Sequence, residues 1–186
     1  MLSNILLDKL PEITPNGFKI QTDFRNAIKF ELLMQDNELS TEIKIQLAFQ
    51  LFYDEIIDVE KQIEDIIWFY TCGKEIKTSQ KNERSNRVKQ IYSYEFDAGY
   101  IYSAFVEQYN IDLQEINMHW WKFKALFEGL NKNIKIIEIM GYRALDINKI
   151  KDKEERKYYK KLQKQYELPD MRSIEEKEAD FGNLFW

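Results

Sequence analysis

The sequence predicts an all-α protein, a compact bundle of about six or seven helices. Apolar residues recur every three or four positions through most of the chain, which is the spacing of one face of a helix. Hydrophobic residues make up 44% of the 186, with 12 Phe, 11 Tyr and 4 Trp, so the chain can fill a core without disulfides. The one clear strand signal is a small β-hairpin near residues 13–20, where Pro15, Asn16 and Gly17 suit a tight turn.

Three helices are expected in the N-terminal half. A short amphipathic stretch at the start ends at Pro11, because proline cannot continue a helix. The first helix begins after Asp23 and the second after Ser40, a typical N-cap residue. The third runs from about Asp58 to Gly73, which is placed to end it as a C′ glycine. The apolar positions that define the three faces are Phe24, Ala27, Ile28 and Leu32, then Ile43, Leu47 and Leu51, then Val59, Ile63, Ile66, Ile67 and Tyr70.

Two further helices are expected in the C-terminal half. One follows Ser93 and ends at Asn110, a residue that tolerates the left-handed conformation of a helix cap. The next runs from Asp112 to Gly129. Because its apolar residues cover most of its sides, we expect it at the centre of the bundle. Its main face comprises Leu113, Ile116, Trp120, Phe123, Leu126 and Phe127.

The last helix follows a short apolar run at 134–140. It begins at about Asp146 or Asp152 and ends at Tyr166, since Pro169 bars its continuation. At 100° per residue, its basic residues fall within an arc of about 140°, and its aromatic residues lie on the far side. The basic residues are Lys153, Arg156, Lys157, Lys160, Lys161 and Lys164, and the far side carries Tyr158, Tyr159, Leu162 and Tyr166.

This basic face has two interpretations. It is a binding surface for an acidic protein, a nucleic acid or an anionic membrane, or it is an ordinary solvated face. In the second case it could also pair internally with the acidic residues near the end of the chain, namely Glu175, Glu176, Glu178 and Asp180. A membrane fits least, because tyrosines stand where inserting helices usually carry Leu, Phe or Trp. The net charge of −5 argues against bulk nucleic-acid binding.

The predicted organisation is one helical domain over residues 1–170 and an acidic tail with an aromatic C-terminus over 171–186. A mobile basic loop at 74–90, with six Lys/Arg against two Glu, divides the domain into halves. The tail carries four large apolar residues that either dock on their own domain or engage another molecule. These residues are Phe181, Leu184, Phe185 and Trp186.

No catalytic, cofactor-binding or metal site is expected, so the sequence favours a protein that is not an enzyme. His119 is the only histidine, and a core-edge histidine with one hydrogen bond is favoured over a metal site shared with Asp112 and Glu115. Cys72 lies at a helix C-terminus, where the dipole disfavours a thiolate, so a structural thiol is expected. The six glycines form no phosphate-binding loop.

A cytosolic location is expected. A single cysteine excludes an internal disulfide and suits a reducing compartment. The apolar runs are far shorter than the ~20 residues that span a bilayer. The first ten residues, MLSNILLDKL, lack the basic segment and the cleavage site of a secretion signal.

Three stretches together carry a resemblance to a known family. They are WFYTCGK at 68–74, FDAGYIYSAFVEQYNIDLQEINMHWWKFKALFEGL at 96–130, and IMGYRALDINKIKDKEERKYYKKLQKQYELPD at 139–170. The chain resembles the bacteriophage gene-product-fifteen family, small proteins of phages and prophages of Gram-positive bacteria. The resemblance covers about residues 23–170. Asn110 stands where glycine is expected, and both residues tolerate the left-handed conformation.

The resemblance implies a phage tail assembly factor in the host bacterial cytoplasm. The family's genes lie just ahead of the tape-measure gene, where tail assembly chaperones are encoded. Such chaperones coat the tape-measure protein until the tail tube forms around it. A chaperone-like protein that binds the tape-measure protein or a co-chaperone is therefore expected, with no catalytic residue assigned. The alternatives are a nucleic-acid-binding or regulatory protein that uses the basic helix 149–166, and a minor structural tail component. Homo-oligomerisation stays open.

Overall fold

The computed structural model describes residues 4–74 and 90–169, and in these residues the fold is all-α, as predicted. Their only strand-like pairings are two isolated bridges. The helices are α1 (Phe24–Gln35), α2 (Thr41–Phe52), α3 (Val59–Tyr70), α4 (Ala98–Tyr109), α5 (Trp120–Glu128), α6 (Lys135–Ala144) and α7 (Lys153–Gln165), with a 3-10 turn at Ile147–Lys149 before α7.

Polar side chains fix the starts of the helices where the sequence predicts them. Asp23, Ser40 and Asp58 each accept a backbone N–H from the first turn of α1, α2 and α3. The two predicted starts of the last helix are both caps. Asp146 begins the 3-10 turn, and Asp152 begins α7.

Two helix ends depend on left-handed backbone. Asn110 closes α4 with φ 54° and ψ 38°, as predicted. After α3, Cys72 and Gly73 both have positive φ, at 55° and 71°, and the N–H of Gly73 donates to the carbonyl of Trp68 at 2.9 Å. This is the carbonyl capping expected of a glycine that ends a helix.

The predicted hairpin near 13–20 is a single tight turn. One antiparallel bridge joins Ile13 to Lys19. The Thr14 hydroxyl and the Asn16 side-chain amide both donate to the carboxylate of Asp65 on α3, which is 1% exposed. A buried carboxylate is costly unless its oxygens accept hydrogen bonds, so these donors hold the turn against α3.

The prediction that the central helix begins at Asp112 is wrong. The Asp112 carboxylate accepts the N–H of Gln114 in a turn. The chain then runs extended beside the segment before α1, where the N–H of Phe24 donates to the carbonyl of Met118 at 2.9 Å. The helix starts only after His119, because the preceding backbone is already paired across the molecule.

The core is built around α5, as predicted. Phe123 is fully buried between two nearly parallel rings, with its centroid 4.8 Å from that of Phe24 and 4.9 Å from that of Phe105. The indole N–H groups of Trp120 and Trp121 donate at 2.9 and 2.8 Å to carbonyls at the C-terminal end of α3. Stacking and these two donations join α1, α3, α4 and α5 into one unit.

A buried ion pair ties α6 to the start of α4. Arg143 is 6% exposed and donates with two nitrogens to the Asp97 carboxylate, which is 1% exposed. The same guanidinium donates to the carbonyls of Ile91 and Tyr166. The sequence pattern at residues 134–140 indicated only an apolar run and gave no sign of this pair.

The predicted apolar faces of α2 and α3 are only partly right. The buried residues are Ala48, Phe49 and Phe52 on α2, and Gln62, Asp65, Ile66 and Phe69 on α3. By contrast Ile43, Val59 and Ile67, which were assigned to the faces, are between 42% and 52% exposed. Both helices carry more apolar residues than their contact surfaces can cover, so periodicity could not select the buried ones.

Candidate functional site

The basic face of α7 consists of the six residues that the sequence predicts. Lys153, Arg156, Lys157, Lys160, Lys161 and Lys164 are all exposed. None of them forms an ion pair with a carboxylate of residues 4–74 or 90–169. Arg156 differs from the five lysines, because its guanidinium donates to the carbonyl of Ile150 and fixes the turn before the helix.

Polar contacts hold α7 to the rest of the molecule, and the helix has no buried residue. The Gln163 side chain donates to the carbonyls of Tyr142 and Leu145 at 2.8 and 2.7 Å. Arg143 donates to the carbonyl of Tyr166 at 2.6 Å. The rings of Tyr159 and Tyr166 lie near that of Tyr142, with centroids 6.4 and 6.0 Å apart. Attachment through one side leaves the basic side facing solvent.

The aromatic residues near the end of the chain were the second group assigned to partner binding. Phe181, Leu184, Phe185 and Trp186 lie outside the described residues, as do the acidic residues beside them. Most of the predicted basic loop, residues 75–89, also lies outside them. The assignment of these segments therefore stays a prediction.

A second candidate surface consists of exposed apolar side chains from a single stretch of the chain. Seven large apolar residues between positions 34 and 67 are at least 36% exposed, and Ile57 reaches 71%. They belong to the end of α1, to α2, to α3 and to the loop between α2 and α3. We call them the exposed apolar set: Met34, Ile43, Ile45, Ile56, Ile57, Val59 and Ile67.

The sequence pattern did not indicate this set, because three of its members, Ile43, Val59 and Ile67, fall on predicted apolar helix faces. The sequence feature that could have revealed the set is the width of the apolar stripes on α2 and α3, which is greater than one buried face needs. Members of the set lie on α1, α2 and α3, and α2 contacts both of the other helices. Large apolar side chains exposed on neighbouring helices are typical of a surface that contacts another molecule.

His119 performs a structural task with both ring nitrogens. Its Nδ1 accepts the N–H of Trp121 at 3.0 Å, so Nε2 carries the proton and donates to the carbonyl of Pro11 at 3.0 Å. Burial lowers the pKa of His119, which favours the neutral ring. The histidine lies at the core edge as predicted, but it makes two hydrogen bonds and caps α5.

Cys72 is half-buried beside the left-handed end of α3. Burial raises the pKa of its thiol to about 11, so the reactive thiolate is disfavoured at neutral pH. Within the described residues no group of three or more His, Cys, Asp or Glu side chains could hold a metal ion.

A shallow polar cavity lies at the start of α1. Its lining includes Arg25, Lys29 and His119. Arg25 is fully engaged, since it pairs with Asp23 at 3.0 Å and donates to backbone carbonyls of the 113–116 segment. Arg25 therefore joins α1 to the 113–116 segment. Of the lysine and arginine residues in the lining, only Lys29 has no such partner among the described residues.

Comparison with known proteins identifies a family. Residues 6–168 match the model of the family described as Bacteriophage Gp15 protein. No curated protein and no solved structure matches the chain. None of the helices in the described residues combines the length and apolar character needed to cross a bilayer.

Proposed function

The chain belongs to the bacteriophage Gp15 protein family, and on that premise we propose that it is a non-enzymatic tail assembly factor. In this proposal it is a chaperone-like protein in the host cytoplasm that binds the tape-measure protein or a co-chaperone during tail morphogenesis. The family's gene position beside the tape-measure gene supports the choice of client. The exposed apolar set is the structural observation that most directly supports the proposed chaperone-like function.

A chaperone of this kind must offer apolar surface while keeping its own core closed. The exposed apolar set offers such surface, and the buried rings around Phe123 do not depend on it. Burying apolar area contributes about 25 cal/mol per Å², so several half-exposed isoleucines can supply much of the affinity for an amphipathic helix of a client.

Co-expression with the neighbouring tape-measure protein tests the proposal. We expect the client to stay soluble with the wild-type chain and to precipitate with an Ile43→Ser, Ile57→Ser, Ile67→Ser variant. Each of the three side chains is already 42–71% exposed, so we expect the variant to stay folded, and circular dichroism checks that it does.

The matched control removes exposed apolar residues elsewhere. Phe96, Tyr100 and Val106, near the start of α4 and along it, are between 38% and 43% exposed. Their replacement by serine is expected to leave the client soluble. If the client precipitates equally with and without the wild-type chain, the chaperone proposal is wrong.

The basic face of α7 favours a second candidate, a nucleic-acid-binding or regulatory role. Titration of labelled DNA and RNA at two salt concentrations tests it, because phosphate contacts weaken steeply as salt rises. Binding at noise level in low salt removes this candidate. A third candidate, a minor structural tail component, predicts abundant copies of the chain in the mass spectrum of purified virions.

A further inference from the structure

We infer that the basic face of α7 is a docking site for an acidic α-helical segment of a protein partner. The inference rests on the proposed function for its premise that the chain acts by binding another protein. It adds the chemistry of the segment that this face takes, and it assigns to α7 a contact separate from the exposed apolar set.

The cations of this face are available to a binding partner, whereas several lysines elsewhere already pair with carboxylates. Five other lysines lie within 4 Å of a described carboxylate: Lys61, Lys74, Lys124, Lys135 and Lys149. The five lysines of α7 have no such partner among the described residues. Glu154 and Glu155 lie in the first turn of the same helix, where the dipole favours carboxylates, and neither pairs with them.

The spacing of the lysines suits a helical partner. Lys153, Lys157, Lys160, Lys161 and Lys164 follow one another at three- and four-residue steps, apart from the adjacent pair at 160 and 161. Such steps place the Cβ atoms of neighbouring lysines about 5–6 Å apart along one side, over a helix about 20 Å long. A partner helix with Glu or Asp at the same steps presents its carboxylates at the same interval.

Charge separates a short acidic helix from a nucleic acid as the occupant. The helix holds six basic and two acidic residues, but the whole chain carries a net charge of −5. A polyanion longer than α7 would extend into the field of an acidic protein and be repelled. A segment of three or four turns meets only the basic face. An anionic membrane is disfavoured because Tyr159 and Tyr166 pack against α6.

The face is also held in place before any partner binds. Two hydrogen bonds from Gln163 and one from Arg143 fix α7 to the backbone of its neighbours. Arg156 fixes the turn that leads into it. A surface that is already ordered loses less entropy on binding, so a modest number of exposed charge pairs can give measurable affinity.

The test is the binding of a labelled peptide of about 20 residues, designed as an alanine-based helix with Glu at i, i+3 and i+4 steps. The control peptide carries Gln at the same positions. In low salt we expect the Glu peptide to bind the full chain and the Gln peptide not to bind. Replacement of Lys157, Lys160, Lys161 and Lys164 by Gln should weaken binding about tenfold or more, since four exposed charge pairs with the peptide are lost together.

The matched control removes the same number of positive charges elsewhere. Lys9, Lys19, Lys29 and Lys132 are exposed and lie outside α7. Their replacement by Gln should change the affinity for the Glu peptide less than about threefold, because salt screens the effect of distant charges. The Ile43, Ile57, Ile67 serine variant should bind the Glu peptide as the wild type does. This separates the two proposals, because either surface can fail alone.

Three results overturn the inference. In the first, single-stranded DNA binds more tightly than the Glu peptide, and the variant with four α7 lysines replaced by Gln loses this binding. Nucleic acid would then be the occupant. Another is no binding of the Glu peptide in low salt. The third is binding that appears only after Glu175, Glu176 and Glu178 are changed to Gln, which makes the chain's own acidic segment the occupant.

Discussion

The core around α5 and the peripheral helix α7 are held in opposite ways. In α5 the residues Trp120, Trp121, Phe123 and Phe127 are buried, and rings from α1, α3 and α4 contact those of α5. In α7 no residue is buried, and polar contacts from Gln163 and Arg143 account for much of its attachment. We therefore expect substitutions in the core around α5 to change stability, and substitutions on the exposed face of α7 to change binding.

The largest expected effect is in the ring cluster. Phe123→Ala should lower the free energy of unfolding by about 3–5 kcal/mol, because it empties a site enclosed by rings on both sides. Urea denaturation measures it. Leu162→Ala on α7, where the side chain is half-buried, should cost well under half as much. Equal costs at the two positions would remove the contrast between the regions.

The next effect concerns the link between the regions. Arg143→Met leaves the buried Asp97 carboxylate without its partner and should cost about 3–5 kcal/mol. The double variant Arg143→Met, Asp97→Leu removes both charges and should be clearly more stable than the single variant. Circular dichroism of both variants under urea checks this order. A double variant that is less stable than the single one would show that the ion pair is not the main role of Arg143.

Replacement of two glycines by alanine should change the stability in opposite directions. Gly73 has φ +71°, and an added Cβ would lie 3.3 Å from the Trp121 ring, so Gly73→Ala should destabilise by about 1–2 kcal/mol. Gly141 lies within α6 with open space around it, so Gly141→Ala should stabilise by about 0.5–1 kcal/mol. Thermal unfolding of the two variants gives the signs. A shift in the same direction for both would contradict the assigned roles.

The smallest effect is a pH dependence at the edge of the core. Burial lowers the pKa of His119 below its usual value near 6.5, so the unfolded chain takes up the proton first as pH falls. The contribution of His119 to the free energy of unfolding is therefore fully present above about pH 6.5. It decreases as the pH falls toward the lower pKa of the folded state. His119→Asn keeps a side chain that can cap α5 and should flatten the dependence in that window. An unchanged slope would assign the dependence to other groups.

The sequence predicted most helix boundaries because they depend on local chemistry. Asp23, Ser40, Asp58 and Asp152 are caps whose side chains bond to the next turn of the chain, and Asn110 is a left-handed cap. These interactions span only a few residues, so a single sequence contains them.

The start of α5 could not be predicted in the same way. It depends on backbone pairing between the segments at 22–24 and 118–120, which lie far apart in the chain. The burial of Asp65 likewise depends on donors at Thr14 and Asn16. The exposed position of the six basic residues on α7 was predicted, because a helical wheel fixes their side. The exposure of Ile43, Ile57 and the rest of the exposed apolar set was not predicted. Which part of a wide apolar stripe stays exposed depends on how neighbouring helices pack.

Hydrogen–deuterium exchange of the chain alone and in complex with co-expressed tape-measure protein shows which residues contact the client. We expect added protection on binding in residues 41–67 and 153–165. We expect no change in α5, whose amides are already protected by the closed core. Protection that is unchanged at both surfaces, or that changes only in α5, would contradict the claim that this protein binds its client through exposed faces on a stable core.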